Sequence, residues 1–429
     1  MFDLCFSYAI IPLEGDAMKL QSKKDIRLLT ALGCLVYFSS YITRINFAAV
    51  LVEFLQAESI MKSSASWITT TLFITYGAGQ LISGYLGDRL NPRLLIFTGL
   101  LVAVSANVLL PLASPNIGLM TVVWGINGLA QAFMWPPLVK ILTAATSMED
   151  YAKIAPTIGS SGACGTIAIY LLCPLIISLS GWKSVFAVTA AIAAVTAFLW
   201  LFISRKLLKG ISFTAVPSKT AEKAETSALP NVIMLLLPVI LLSIAMQGML
   251  RDGISTWLPT FLTESFHLES VVSILVGVAL PIMHVLVNLI AYKLLVAMKK
   301  DVFAAIGLLF TLIGLLLLSM HLFAGNSVIV SMLLIAVANG AINGVNTLQT
   351  CYIPALFGSS KNMSFIAGLL NAGTYIGSAA SIYLFAILSE RFGWGATVVG
   401  WVITAAAGIA LTIFCREILR RKNLHIIQS

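Results

Sequence analysis

The chain has 429 residues, of which 59% are hydrophobic and only 10% charged, and its mean hydropathy is +0.98. A soluble chain carries about a quarter charged residues, so composition excludes a soluble globular enzyme and makes this a polytopic membrane protein. The net charge of +9 does not mark a nucleic-acid partner, because the basic residues follow the membrane boundaries instead of clustering on one surface.

The first seventeen residues, "MFDLCFSYAIIPLEGDA", have no basic flank ahead of their apolar stretch and make a poor signal peptide. "MKLQSKKD" from Met18 reads as the more natural start. Apolar runs of about 20 residues, each able to cross about 30 Å of hydrocarbon, then recur. They predict spans at 28–55, 67–86, 94–112, 117–143, 154–179 and 182–203. After the longest non-apolar stretch come spans at 232–262, 271–295, 302–323, 328–356, 364–388 and 394–415. The expected fold is an all-α membrane protein of twelve helices in two six-helix bundles, 28–203 and 232–415. Residues 1–27, 204–231 and 416–429 form a leading segment, a linker and a tail.

Of the 26 Lys and Arg, 21 fall on the side of the N-terminus, three on the other side (Lys62, Lys183, Arg391) and two inside spans (Arg44, Arg251). The positive-inside rule therefore puts both termini in the cytoplasm, as an even span count requires.

The two halves repeat. Arg44 in the first span has a counterpart 207 residues on, in Arg251 of the seventh. A Gly-Trp pair precedes the sixth and twelfth spans at Gly181-Trp182 and Gly393-Trp394, 212 apart, and at that offset Gly165, Asn127 and Gln131 fall on Gly377, Asn339 and Asn343. Six helices plus six related helices is the parallel-repeat plan of secondary transporters, with the substrate site expected at the repeat interface near the midplane.

The two intramembrane arginines carry the sharpest signal. Each stands about 24–30 Å along its helix from the inner end, too deep to snorkel easily, and an arginine at a helix centre costs roughly 2.5–3.5 kcal/mol on the lenient insertion scale. The structural reading is an arginine paired to a carboxylate. Asp252 is adjacent to Arg251 but about 100° away around the helix, so it is not expected to neutralise its neighbour. The functional reading is two guanidiniums holding an oxyanion in bidentate forks that lysine does not offer. Tyr37 and Tyr41 share the face of Arg44 and either close on a ligand or pack the wall. Stripes of Asn127, Gln131 and Trp135, and of Asn339, Asn343, Asn346 and Thr350, either glue helices together or read a ligand. His284 is a possible proton site, as is Asp252. Six cysteines without a CxxC pair pack as small apolar residues, and no metal ligand set, nucleotide loop or catalytic triad is present in the sequence. Neither a cofactor nor an enzymatic activity is expected.

"GYLGDRLNPR" at 84–93 resembles the loop signature of the major facilitator superfamily, with Gly84, Asp88, Arg89 and Arg93 in place and Asn91 and Pro92 departing from it. Asp88, Arg89 and Arg93 are the expected gating residues. "YITRINFAAV", "AQAFMWPPLVK", "MLRDGISTWLPTFL" and "GLLNAGTYIGSAAS" further resemble the organophosphate:phosphate antiporter family of that superfamily. The resemblance implies that Arg44 and Arg251 bind a phosphoryl group and that a rocker-switch exchange moves organic phosphate against inorganic phosphate. Members of the glycerol-3-phosphate type add a lysine in the second helix and a histidine in the fifth. Here Gln80 and Ser161 stand there, so Gln80 joins the expected contacts of a less cationic site. The expectation is a monomeric transporter of a small organic anion in a bacterial inner membrane. The alternatives are a proton-coupled carboxylate symporter and a transporter-like sugar-phosphate sensor.

Overall fold

The computed structural model describes residues 19–20, 22–211, 213, 228–298, 301–323, 327–355 and 363–421. The proposed start at Met18, Cys5, the middle of the linker, the end of the tail and Lys219, Lys223, Lys299, Lys300, Lys361 and Lys422 lie outside the described residues.

Every regular element among the described residues is helical. In chain order they are α1 (Lys23–Glu58), α2 (Lys62–Arg89), α3 (Pro92–Ala113), α4 (Ile117–Gln131), α5 (Trp135–Ala145), α6 (Met148–Ser180) and α7 (Lys183–Leu207). Then follow α8 (Ala228–Phe266), α9 (Ser270–Val276), α10 (Ala279–Ala297), α11 (Val302–Phe323), α12 (Val328–Thr347), α13 (Ile353–Ala355), α14 (Met363–Arg391) and α15 (Gly393–Arg421). Ten stretches among the described residues are long and apolar enough to cross a membrane. Most helices outrun the expected spans by about a turn because polar caps carry them past the apolar core. Ser22 accepts from the Lys24 amide at the start of α1, and Ser147 accepts from the Asp150 amide at the start of α6. Asn91 caps α3 and Pro92 occupies its first position, so the two departures from the loop signature are a helix start.

Three expected spans are interrupted, and each interruption has a proline behind it. A proline lacks the N–H that would bond the carbonyl four residues back. Pro136 and Pro137 leave the carbonyls of Ala132 and Phe133 without that donor, and α4 ends in tight turns at 132–134 before α5 begins. Pro281 does the same to Gly277, where α9 gives way to α10. Pro354 follows a widened π turn at Leu348–Tyr352 that contains Thr350. Pro111, Pro156, Pro174, Pro238 and Pro259 are accommodated without a break.

The described residues divide into two compact units, one within 19–59 and 67–213, the other within 60–66 and 228–421. In the first, α1 packs on α6 and α7, and α3 packs on α7. In the second, α8 packs on α14 and α15, and α11 packs on α15. These pairings correspond span for span, and matching glycines make a further one possible. A Cβ on Gly128 of α4 would strike the backbone of Leu72 and the hydroxyl of Thr75 on α2. A Cβ on Gly340 of α12, 212 residues on, would likewise strike the Val287 side chain and crowd the Met283 carbonyl of α10. The two Gly-Trp pairs also serve one purpose. Gly181 and Gly393 take φ of +75° and +78°, a left-handed conformation that favours glycine. The tryptophan that follows meets a phenylalanine edge-on in each unit, Trp182 on Phe54 at 5.2 Å and Trp394 on Phe261 at 5.4 Å. Phe54 and Phe261 are 207 apart, the separation of the two arginines. In the second unit, Lys62 Nζ and Trp394 Nε1 both reach Glu264 Oε2, at 2.6 and 2.8 Å.

Candidate functional site

In the first unit α1 presents two polar faces with different uses. One is consumed in packing. Ser40 Oγ donates to Gln131 Oε1 at 2.6 Å, Gln131 Nε2 donates to Thr43 Oγ1 at 3.0 Å and to Asn127 Oδ1 at 3.2 Å, and Asn127 Nδ2 donates to the Thr43 carbonyl at 3.0 Å. Asn107 reaches that same carbonyl at 3.0 Å, and Asn46 donates to Asn107 Oδ1 at 2.6 Å. Gln131 is 1% exposed and both its amide atoms are engaged, so here it belongs to the bonding between helices. The other face carries Tyr37, Tyr41 and Arg44, all half-buried. The guanidinium carbon of Arg44 lies 4.3 Å from the ring centre of Tyr41 and 5.0 Å from that of Tyr76 on α2. Tyr41 meets Tyr37 edge-on at 5.1 Å, and Tyr37 leans on Trp135 of α5 at 4.9 Å. Gly162 of α6 leaves the room that the Tyr41 ring occupies. Aromatic faces stabilise a cation without removing its charge.

In the second unit Arg251 is held differently, and one expectation fails. Arg251 Nε donates to Asp252 Oδ1 at 3.1 Å and Nη2 donates to Oδ2 at 2.7 Å, a bidentate pair between adjacent residues. The rotation of about 100° per residue separates the Cα–Cβ bonds but not the ends of a long arginine and a carboxylate that bend towards each other. Ser378 Oγ of α14 donates to Asp252 Oδ2 at 2.5 Å. Arg251 Nη1 donates to Asn346 Oδ1 at 3.4 Å, and its guanidinium lies 5.4 Å from the ring centre of Tyr375 on α14.

The asparagine stripe of α12 divides accordingly. Asn346 touches the arginine, whereas Asn343 donates to the Asn339 carbonyl at 2.9 Å and is 6% exposed, within the packing. Thr350 donates to the Asn346 carbonyl at 2.7 Å. Gln80 is half-buried on α2, Ser161 donates to the Ile158 carbonyl at 2.6 Å, and His284 is half-buried on α10 in the second unit. Of the expected gating residues, the Asp88 side chain lies outside the described residues. Arg89 is exposed at the end of α2, and Arg93 is half-buried at the start of α3. Sequence reasoning missed Tyr76, Tyr375 and Ser378. Tyr375 and Ser378 lie inside the stretch "GTYIGSAAS", and Tyr76 stands four residues before Gln80.

The family model of the Major Facilitator Superfamily matches residues 33–351. A "Probable hexose phosphate transport protein" of Chlamydia muridarum is 27% identical over 42% of this chain and 39% of its own. The "Glycerol-3-phosphate transporter" of Bacillus subtilis is 27% identical over 56% of this chain and 59% of its own. The "Membrane sensor protein UhpC" of Salmonella typhimurium is 30% identical over 30% of this chain and 29% of its own. The chain thus spans less than two thirds of the length of these relatives. Among solved structures, a bacterial homologue of the human lysosomal transporter Spinster superposes with a TM-score of 0.76, covering 92% of this chain and 98% of that one at 13% identity. That likeness concerns the fold alone.

Proposed function

The chain belongs to the Major Facilitator Superfamily, a family of membrane transporters and not of enzymes, and on that premise we propose that it exchanges a phosphate ester for inorganic phosphate by alternating access. Its likeness to the organophosphate:phosphate antiporters rests on relatives named as hexose phosphate and glycerol-3-phosphate transporters. The observation that carries the reading is the pair of intramembrane arginines, one in each unit, each beside a tyrosine ring. Arg44, with Tyr37, Tyr41 and Gln80 in its unit, and Arg251, with Asn346 in its own, are the residues that engage the phosphoryl group. The anion repays the desolvation of both guanidiniums, and that difference in free energy between empty and loaded protein drives the conformational exchange. Asp88, Arg89 and Arg93 gate the inner side. The protein works as a monomer in a bacterial inner membrane, with both termini in the cytoplasm. Counterflow in proteoliposomes loaded with inorganic phosphate tests the reading. Uptake of labelled glycerol-3-phosphate or glucose-6-phosphate is expected, and no counterflow of either ester overturns it.

A second reading has its own observation. The pair of Arg251 and Asp252, bridged to Ser378, gives a proton a carboxylate to neutralise beside a ligand-binding cation, as a proton-coupled carboxylate symporter needs. Transport of a sugar acid that requires an imposed pH gradient, and loses that requirement in Asp252→Asn, favours this reading over phosphate exchange. A sensor similar to UhpC binds the ester without flux in the same vesicles.

A further inference from the structure

A cavity of about 520 Å³ lies in the first unit, away from Arg44, and is lined by Arg93, Phe202, Arg205, Lys206, Lys209 and Gly210. It forms where α3 begins and α7 ends. Trp200 Nε1 donates to the Arg93 carbonyl at 3.0 Å, which ties the two helix ends together. Arg93 is further positioned by Asn91 Oδ1, 3.4 Å from its Nε, and by the ring of Phe213, 5.7 Å from its guanidinium carbon. Four of the six lining residues are cations and none is an acid. Among the described residues no carboxylate pairs with any of them. Four like charges around one cavity repel one another, and a shared anion is what relieves them.

The neighbouring surface says which anion. Phe202, Phe198, Leu199 and Leu94 are 68, 50, 40 and 51% exposed beside the same helix ends. A free phosphate makes no use of such an apolar strip, whereas a phospholipid lays its acyl chains along it. The positive-inside reading also places this end at the cytoplasmic leaflet, where anionic lipids concentrate. We propose that the basic cavity between the start of α3 and the end of α7 binds the phosphate of an anionic phospholipid, whose acyl chains lie on the exposed strip formed by Phe198, Leu199 and Phe202. The shared chemistry is a phosphate oxyanion held by arginine forks and by the point charges of lysine ammonium groups, distinct from the transport site.

The test uses the full-length protein in nanodiscs of phosphatidylcholine doped with phosphatidylglycerol, with lipid retention read by native mass spectrometry after detergent extraction. The wild type should retain phosphatidylglycerol selectively, and Lys206→Gln/Lys209→Gln should lower that retention by about 5-fold per charge removed. Binding of glycerol-3-phosphate should be unchanged in the same variant, which separates the two sites. Phe202→Ser should also weaken retention while leaving every charge in place. Equal retention by wild type and double variant overturns the site. Displacement of the lipid by millimolar inorganic phosphate overturns the lipid assignment in favour of a free-phosphate site.

Discussion

Asp252→Asn removes the charge that Arg251 faces and keeps a side chain of the same shape. The carboxylate accepts from the guanidinium at 3.1 and 2.7 Å, and the two side chains are only 18% and 17% exposed, so solvent screens the pair little. A hydrogen bond to a charged group contributes about 1.5–3 kcal/mol. Under the proposed phosphate exchange, an incoming phosphoryl group has to displace the carboxylate or share the guanidinium with it, and loses about that much binding energy in doing so. Without the charge, that competition vanishes. At about 1.4 kcal/mol per factor of ten, the phosphate ester should bind about 10- to 100-fold tighter in Asp252→Asn than in the wild type. Counterflow should slow at the same time, because a ligand held more tightly leaves more slowly. Asparagine still accepts from Ser378 Oγ, so the contact between α8 and α14 survives and the fold is expected to hold. The measurement is equilibrium binding of labelled ester to detergent-purified protein at pH 7, with thermal unfolding as the control on folding. An unchanged or weaker Kd, at a wild-type melting temperature, would show that Asp252 orients the arginine for the ligand and does not compete with it.

Other substitutions read the remaining contacts. Arg44→Lys and Arg251→Lys should each abolish transport in a folded protein, because an ammonium does not reproduce the fork; uptake at the wild-type rate by either variant would remove the clamp. Gln80→Lys should raise the preference for phosphate esters over carboxylates in competition counterflow across roughly pH 5.5–8, which brackets the second phosphate pKa of about 6; an unchanged ratio means that Gln80 does not face the anion. Gly128→Ala should destabilise by about 1–3 kcal/mol through overpacking on Leu72 and Thr75. Gly159→Ala, which meets nothing within 4 Å, should be neutral or stabilising by about 0.5–1 kcal/mol, and equal melting temperatures for the two variants would contradict the packing.

Much of the scaffold was legible because the bilayer enforces it. Apolar run length gave the spans, and the span at 302–323 coincides with α11 end to end. The interruptions at 132–134 and 277–278 were not seen, although Pro136, Pro137 and Pro281 stood in plain view. Apolar composition carries no record of hydrogen bonds, and prolines elsewhere in the helices leave them unbroken. At the site, the arginines announced themselves by their cost in lipid, whereas Tyr76 and Tyr375 did not, since tyrosine in a membrane helix is ordinary. Ser378 was hidden for a different reason. Its role depends on which way the Asp252 carboxylate turns, and spacing along a helix fixes where a side chain leaves the backbone but not where a long one ends.

Internal repetition lets one half of the molecule act as a control for the other. The glycines at 128 and 340, the Gly-Trp pairs and the phenylalanines at 54 and 261 occupy matching places in both copies, which is what packing alone demands. The arginines match as well, but their company does not: one rests on tyrosine rings, the other is clasped by a carboxylate. A difference that persists inside an otherwise duplicated frame has no packing explanation to fall back on. The two copies are therefore one scaffold with two electrostatic settings, a guanidinium set against tyrosine rings in the first half and one paired to its neighbouring carboxylate in the second. Exchanging the settings, with Asp252→Ile paired to Ile45→Asp, asks whether the polarity of the cycle resides in those two neighbours.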